Sequence, residues 1–252
     1  MYFNNNWAVI IPMANEEESF PDLVKVFTPM LDLLNSGTVY FIVDTVSKDS
    51  TLEICRKQSE ADARYKTIWA PENKNVVDAY LRGYQEALKA GHQFIIEMDA
   101  GLSHDPRALP MFLRVLNEGN ECAFGSRNIN GGSNADSPFR RRFISTAGTV
   151  LANLFLGTRM KDMTSGFQGF RANVVKEILA YGLRSKAHFY QTEVRYLLRN
   201  SRYREVPIHY RAPSPSVSDS AIKDSFRVFM YYIKLRILGK SPQIVTSFHY
   251  DV

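Results

Sequence analysis

Two aspartates stand at the ends of apolar runs in the first half of the chain. Residues 94–106, FIIEMDAGLSHDP, open with a run typical of a buried strand, and Asp99 follows that run. Asp44 follows a similar run at residues 39–43. Open α/β sheets bind ligands in the crevice outside the carboxyl ends of their strands. Asp99 is therefore a candidate for ligand chemistry, and the alternative is that it only caps a turn.

Strand and helix patterns alternate through the first hundred residues. We predict strands at residues 7–11, 39–43, 67–70 and 94–98. Helices are predicted at residues 20–34, 51–60 and 76–90. Asn15, which precedes three glutamates, is predicted to cap the first of these helices. The alternation predicts an α/β fold with a doubly wound, mostly parallel sheet and helices on both faces, so Asp44 and Asp99 should face one crevice.

The second half of the chain is less regular. Helices are predicted at residues 106–118, 174–181 and 190–200, and extended segments at 121–126, 167–171 and 203–210. Pro207 favours a sheet edge for the last of these segments. The polar residues 128–138 predict a loop that is either functional or disordered. Three arginines, 140 to 142, then open a helix whose apolar face is formed by Ile144, Ala147, Leu151 and Leu154.

Composition limits the classes of partner. The net charge of +5 over 252 residues suits an anionic ligand or membrane surface, but it is too small to indicate nucleic acid. Cys55 and Cys122 lack metal-ligand spacing and are expected to be buried thiols in a reducing compartment. His92 and His104 are expected to be solvated turn residues. The first residues do not resemble a signal peptide and no apolar run could span a membrane, so we expect a cytoplasmic location with peripheral membrane contact.

A helical pattern returns near the C-terminus, after a polar linker at residues 212–218. Residues 219–238 carry one apolar stripe, which consists of Ile222, Phe226, Phe229, Ile233 and Ile237. The rest of this helix is basic, which is typical of a helix lying on an anionic membrane. The alternative is a helix packed on its own domain with a solvated basic face. We therefore expect one domain at 1–211 and an appended linker, amphipathic helix and tail at 212–252.

Polar motifs recur along the chain in a fixed order. They are VIIPMANEEE from Val9, VDTVSKDST from Val43, MDAGLSHDP from Met98, GSR from Gly125, Arg142 with Ser145, DMTSGFQGFR from Asp162, QTE from Gln191, and EVPI from Glu205. This series resembles the family-2 glycosyltransferases with the GT-A fold. The resemblance is closest to the synthases of polyprenol-phosphate and dolichol-phosphate sugars.

The resemblance implies a site for a UDP- or GDP-sugar and an inverting transfer. Glu16 and Asp44 would contact the nucleoside, because carboxylates accept hydrogen bonds from base and ribose groups. Asp99 would bind a divalent cation, Mg²⁺ or Mn²⁺, or the ribose. The implied nucleotide-sugar site as a whole consists of Pro12, Ala14, Asn15, Glu16, Asp44, Asp99, Ala100 and Gly101.

Three positions depart from the family pattern. Gly101 replaces the second acid of the family's Asp-X-Asp motif, which predicts weak or absent metal dependence. Asp105 could replace that acid or could only cap the following helix. Thr45 and Ala14 replace an acid and an aromatic residue, and these changes bear on which base is bound.

The identity of the acceptor decides whether a general base is needed. A polyprenyl phosphate is already anionic, and Arg127, Arg142 and Ser145 would position it, because guanidinium groups fit phosphate oxygens. A sugar hydroxyl would need a carboxylate to take its proton, with Glu193 as first candidate and Asp162 as second. Asp99, Arg127, Glu193 and Asp162 are therefore the candidate catalytic residues.

The favoured hypothesis is transfer from a UDP- or GDP-sugar to a polyprenyl phosphate. Transfer to a saccharide acceptor is the first alternative, favoured by a weakened match at Ser218 and Asp219. A non-catalytic nucleotide-sugar binding protein is the second, and only Gly101 favours it.

Overall fold

The computed structural model describes residues 6–35, 37–211 and 219–244, without the side chains of Arg140 and Arg141. Over these ranges the strands are β1 (Trp7–Met13), β2 (Gly37–Val43), β3 (Tyr65–Trp69), β4 (Phe94–Glu97), β5 (Cys122–Ser126), β6 (Gln168–Arg171) and β7 (Tyr203–Pro207). The helices are α1 (Phe20–Leu34), α2 (Thr51–Ala61), α3 (Val76–Lys89), α4 (Leu109–Asn117), α5 (Phe139–Leu156), α6 (Ala172–Tyr181), α7 (Tyr190–Leu197) and α8 (Asp219–Ile237).

The strands form one sheet in the order β3-β2-β1-β4-β6-β5-β7. All neighbours pair in parallel except β6, which runs antiparallel to both β4 and β5. The chain leaves β1 towards β2 on one side and later returns to β4 on the other side. A topological switch point therefore lies between β1 and β4, where open α/β sheets bind ligands. The predicted mostly parallel sheet is confirmed, and Pro207 does lie in an edge strand.

Helices cover both faces of the sheet. The alternation of apolar side chains along β1 sends Trp7, Val9 and Ile11 to one face, and Ala8 and Ile10 to the other. Helices α1, α2 and α4 pack on the first face. Helices α3, α5, α6, α7 and α8 contribute to the core on the second. Burying apolar residues on both faces is what a mostly parallel sheet requires.

Side-chain caps mark the starts of α3 and of a short 3₁₀ turn. The Asn75 side chain caps α3 by accepting hydrogen bonds from the backbone N–H groups of Val77 and Asp78. Asp105 likewise caps a 3₁₀ turn at Pro106–Ala108 and pairs with Arg107. Asp105 therefore takes the capping role that the sequence left as one of two possibilities.

Asn15 does not cap α1, so that prediction was wrong. Helix α1 begins at Phe20 after Ser19, and Asn15 takes a left-handed conformation with φ of 56°. Its backbone N–H donates to Ser47 Oγ at 3.1 Å, and its Oδ1 accepts from the backbone N–H of Lys48 at 2.8 Å. Asn15 thus joins the loop after β1 to the loop after β2.

Helices α5 and α8 expose much of their apolar surface. The predicted face of α5 points outward, with Ile144, Leu151 and Leu154 exposed, while Thr149, Ala152 and Leu156 are buried. In α8 the buried residues are Ala221, Val228 and Tyr232, and three residues of the predicted stripe, Ile222, Phe226 and Ile237, stay exposed. The two helices meet through Phe155 and Phe229, whose ring centroids lie 6.3 Å apart. The predicted linker at residues 212–218 lies outside the described residues, and the division at residue 211 stays a prediction.

Candidate active site

The loops that leave β1, β2 and β4 bring the predicted nucleotide-sugar residues to one edge of the sheet. Pairing of Met13 with Val43 sets Ala14 beside Asp44, and pairing of Ile10 with Glu97 sets Asp99 beside the end of β1. Pro12 lies near the end of β1, Ala14, Asn15 and Glu16 belong to the loop that follows it, Asp44 to the second loop, and Asp99, Ala100 and Gly101 to the third.

Asp99 is the open carboxylate of this crevice. Its side chain is 41% exposed, and one oxygen accepts a hydrogen bond from the Tyr80 hydroxyl at 3.2 Å. The other accepts from Ser103 Oγ at 3.3 Å, and His104 Nδ1 lies 3.5 Å from it. These three contacts hold the carboxylate from the protein side, and its exposed part faces solvent. Such a carboxylate can bind a cation or accept bonds from hydroxyl groups.

A polar network beneath Asp99 supports it from the core. Glu97, the last residue of β4, precedes Asp99 by two residues and is fully buried. It accepts hydrogen bonds from Tyr84, from Gln168 Nε2 at 2.6 Å and from the Tyr190 hydroxyl at 3.2 Å. Burial raises the pKa of Glu97 to about 7. The ring of Tyr190 packs 5.2 Å from that of Tyr80, which contacts Asp99.

Glu16 lies beside the loop that carries Asp99, with its Oε2 3.9 Å from the ideal Cβ position at Gly101. The backbone N–H of Glu16 donates to Thr51 Oγ1 at 2.8 Å, and its carboxylate accepts from the Ser19 hydroxyl. Partial burial raises the pKa of Glu16, and the negative charges of Asp99 and Asp49 add to that effect. Asp44 is nearly buried, with one oxygen accepting from the backbone N–H of Val46 at 2.8 Å.

Space is open at Gly101, where the family has its second acid. A Cβ atom built there meets only Glu16 Oε2, at 3.9 Å, and the backbone does not adopt the left-handed region. The glycine is therefore required neither by packing nor by conformation. No group of three or more His, Cys, Asp or Glu side chains within the described residues could hold a metal ion alone.

A second cluster centres on Arg127, directly after β5. Asp162 binds this guanidinium through two bonds, Nε to Oδ2 at 2.7 Å and Nη2 to Oδ1 at 2.8 Å. Nη2 also donates to Ser145 Oγ at 2.8 Å and to Thr164 Oγ1 at 2.6 Å. The cluster thus brings Arg127 together with Ser145 and Asp162, and it adds Thr164.

The loop that carries Asp162 is held by two further charged residues. Glu205 on β7 accepts from the backbone N–H groups of Lys161 and Asp162 at 3.0 Å. Arg195 on α7 is fully buried and donates to the carbonyl oxygens of Asp162, Gly125 and Ser165. These contacts fix the carboxylate that in turn fixes Arg127.

Two aromatic side chains connect the two clusters. The His104 ring lies 5.5 Å from the ring of Tyr210, and the guanidinium of Arg127 lies 5.3 Å from the Tyr210 centroid. His104 is buried, so the expectation that it is solvated was wrong. Asp99 and Arg127 therefore lie on either side of the pair His104 and Tyr210.

The two candidate general bases are both engaged in structural contacts. Glu193 is fully buried and accepts from the backbone N–H groups of Arg184 and Ser185 at 2.9 Å, and from the Tyr232 hydroxyl at 2.6 Å. Asp162 is also buried, and its bonds to Arg127 overcome the effect of burial and hold its pKa well below the usual range. A deprotonating group must reach the proton it removes, so neither geometry suits a general base.

Several residues of the site carry no local sequence signal. Tyr80 and Tyr210 come from elements that are distant in sequence, and only the fold brings them to Asp99 and Arg127. Thr164 lies inside the DMTSG motif, two residues after Asp162, and its hydroxyl could have been suspected there.

Arg142 stays half-buried at the start of α5, 6.0 Å from the ring of Phe139.

The arrangement joins an open carboxylate at a switch point to a fixed guanidinium, which suits a ligand with a nucleoside and several phosphates. The family model for "Glycosyl transferase family 2" matches residues 8–179. The chain therefore belongs to this family and is a glycosyltransferase. Membership argues against the non-catalytic binding protein that Gly101 alone favoured.

Relatives in the family include lipid-linked sugar synthases. The undecaprenyl-phosphate mannosyltransferase of Micrococcus luteus is 29% identical over 80% of this chain and 82% of its own. The polyprenol monophosphomannose synthase of Mycolicibacterium smegmatis is 30% identical over 83% of this chain and 79% of its own. The dolichol-phosphate mannosyltransferase of Pyrococcus furiosus is 34% identical over 68% of this chain and 47% of its own.

Solved structures share the fold at low identity. Glucosyl-3-phosphoglycerate synthase of Mycobacterium tuberculosis with UDP superposes with a TM-score of 0.66 at 15% identity, covering 94% of this chain and 81% of that one. The same enzyme has also been solved with Mn²⁺ and UDP-glucose. These likenesses confirm the GT-A type of fold. Among the described residues, no helix is both long and apolar enough to cross a membrane.

Proposed function

We propose that this protein transfers a sugar, with inversion, from a UDP- or GDP-sugar to a polyprenyl phosphate. The observation that carries the proposal is the Arg127 cluster, a fixed guanidinium that adjoins the crevice. The names of the relatives from Micrococcus luteus and Mycolicibacterium smegmatis support the acceptor class and favour mannose as the sugar.

The donor would lie along the switch point. Glu16 and Asp44 would accept hydrogen bonds from the nucleoside, and Asn15 would keep their two loops in register. Pro12 and Ala14 would form the pocket wall, with Ala100 and Gly101 beneath the diphosphate. Asp99 would then lie nearest the leaving group.

The acceptor phosphate would bind beside Arg127, with Ser145 and Arg142 as further donors. An oxygen of that phosphate attacks the anomeric carbon while the bond from that carbon to the diphosphate oxygen breaks. The acceptor is already anionic, so no proton has to be removed. This accords with the state of the two candidate general bases, Glu193 and Asp162, which are both buried and engaged in other contacts.

Asp99 would hold a divalent cation, Mg²⁺ or Mn²⁺. The donor set fits, because a Mg²⁺ ion is commonly held by one or two carboxylates plus substrate phosphates, and the Asp99 carboxylate is open to the crevice. When bound, the ion would neutralise charge on the leaving diphosphate. Arg127 would supply the remaining positive charge to the phosphates.

Helices α5 and α8 would contact the membrane that holds the acceptor. Six of the seven exposed large apolar residues of α5, here called the α5 surface, are Phe139, Phe143, Ile144, Val150, Leu151 and Leu154. Helix α8 adds Ile222, Phe226, Met230 and Ile237. Exposed apolar patches of this kind mark interaction sites. Ser145 bonds Arg127 from within α5, so the α5 surface would lead a prenyl chain away from the phosphate site.

The acceptor class can be tested by competition. The full chain is incubated with a labelled nucleotide sugar and vesicles that contain polyprenyl phosphate, the matching polyprenol or a lipid-linked saccharide. Label should pass to polyprenyl phosphate alone. Transfer to the saccharide would instead support the alternative of a saccharide acceptor, which the weakened family match near Asp219 favours.

A further inference from the structure

We propose that Glu16 supplies the second carboxylate of the divalent-cation site, in place of the acid that Gly101 lacks. The inference rests on the proposed function, because it assumes a nucleotide sugar whose diphosphate shares the ion. It concerns the one position at which this chain departs from the metal motif of its family.

Geometry at Gly101 is the first support. The ideal Cβ position there has Glu16 Oε2 as its only neighbour within 4 Å, at 3.9 Å. An aspartate side chain at this position would extend about 2.4 Å from Cβ to its carboxylate oxygens, given standard bond lengths. Glu16 Oε2 therefore reaches the border of the volume that the missing carboxylate would occupy.

The placement of the Glu16 and Asp99 carboxylates near each other is the second support. The two carboxylates follow the neighbouring strands β1 and β4, and Glu16 Oε2 lies 3.9 Å from the ideal Cβ position at Gly101, two residues after Asp99. The Asp99 carboxylate is open to the crevice, and Glu16 is half-buried. A cation between them would remove the repulsion, and two carboxylates plus diphosphate oxygens form a usual Mg²⁺ or Mn²⁺ ligand set.

The backbone holds Glu16 in this orientation. Asn15 is locked in its left-handed conformation by bonds to Ser47 and Lys48, and the backbone N–H of Glu16 is bound by Thr51. The Glu16 carboxylate also accepts from Ser19. The side chain therefore projects from a fixed point, which lowers the entropy lost on binding an ion.

Mn²⁺ binding to four proteins tests the inference. The wild-type chain, Glu16→Gln, Gly101→Asp and the double variant are titrated with Mn²⁺ in the presence of UDP or GDP, and free Mn²⁺ is measured by electron paramagnetic resonance. We expect Glu16→Gln to weaken Mn²⁺ binding by about tenfold or more, and Gly101→Asp to restore the double variant to near the wild-type affinity. Gly101→Asp should strengthen binding far less in the wild-type background, where Glu16 already fills the position.

Two results would overturn the inference. One is wild-type Mn²⁺ affinity in Glu16→Gln, and the other is an equal gain from Gly101→Asp in both backgrounds. Nucleotide binding in EDTA, measured by calorimetry on the same proteins, keeps the proposed function separate. Loss of metal-free nucleotide binding in Glu16→Gln with unchanged Mn²⁺ affinity would assign Glu16 to the nucleoside only. Failure of the wild-type chain to bind either nucleotide would instead reject the donor site itself.

Discussion

Arg127 and Asp162 form a buried, two-bond ion pair between the end of β5 and the loop before β6. Their side chains are 7% and 0% exposed, and the two bonds measure 2.7 and 2.8 Å. Because Arg127 also binds Ser145 on α5, the pair fixes three elements around the proposed phosphate site.

Asp162→Asn should strongly destabilise the protein. The change leaves the buried guanidinium of Arg127 without its counter-charge, and the expected loss is about 3–5 kcal/mol in the free energy of unfolding. Urea unfolding measures this loss. Asp62→Asn is the matched control, because Asp62 binds Arg64 through similar bonds at the surface and should cost about 1 kcal/mol or less. An equal loss of unfolding free energy in both variants would contradict the claim that the buried Arg127–Asp162 pair stabilises the fold more than a surface pair does.

Asp99→Asn should abolish sugar transfer while Asp105→Asn leaves it nearly unchanged. Asp99 is the carboxylate that faces the crevice, whereas Asp105 caps the 3₁₀ turn and pairs with Arg107. Both variants remove one charge from the same nine-residue motif. Initial rates of transfer with saturating nucleotide sugar measure the effect. The opposite pattern would make Asp105 the replacement acid that the sequence left open.

His92 should make stability fall in mild acid. Burial lowers the pKa of this histidine to about 4, and the unfolded value is about 6.5. The unfolded state then binds more protons between these values, so stability is lost as the pH falls from 6.5 towards 4. Between pH 7 and 5 the free energy of unfolding should drop by about 2 kcal/mol through this residue.

The comparison for this prediction is His92→Gln, which removes the titrating ring. Chemical unfolding at several pH values should show a smaller acid loss in this variant than in the wild-type chain. His188→Gln, at an exposed position, should keep the wild-type profile. If stability depended on pH in the same way in all three proteins, His92 would not be the source of the acid loss.

The α5 surface should contribute to vesicle binding. Phe143 and Leu154 are 65% and 67% exposed, so their replacement by serine costs little packing but removes apolar area that a membrane would bury. Burial of each is worth about 1.5–3 kcal/mol, so the double variant should bind anionic vesicles more than tenfold more weakly. Co-sedimentation with phosphatidylglycerol vesicles measures this. The control replaces exposed Leu33 and Met111, on helices of the opposite layer, with serine. Equal binding by both double variants would remove α5 from the membrane contact.

Sequence reasoning predicted the parts of the site that follow strands. Asp44, Asp99 and Arg127 each come directly after an apolar run, and the parallel sheet brings such positions to one edge. The polar partners could not be predicted in this way. Tyr80 lies inside an amphipathic helix, where it resembles any core aromatic, and only the packing of α3 on β4 brings its hydroxyl to Asp99.

Burial was the harder property to predict. His92 and His104 stand in turn-like sequences, yet His92 contacts Tyr40 and His104 is enclosed by Phe167 and Tyr210. Glu193 was expected to be either catalytic or exposed, and it is instead a buried acceptor for three donors. In each case long-range contacts decide the environment of the side chain, and local sequence does not report them.

The central claim is that the nucleophile is a lipid phosphate. The most direct measurement is mass spectrometry with ³¹P and ¹H NMR of the lipid product, after incubation of the full chain with polyprenyl phosphate and a panel of UDP- and GDP-sugars. The account predicts a sugar–phosphate–prenyl diester whose anomeric configuration is inverted relative to the donor. A product with the sugar on a hydroxyl group, or retained configuration in the diester, would contradict it.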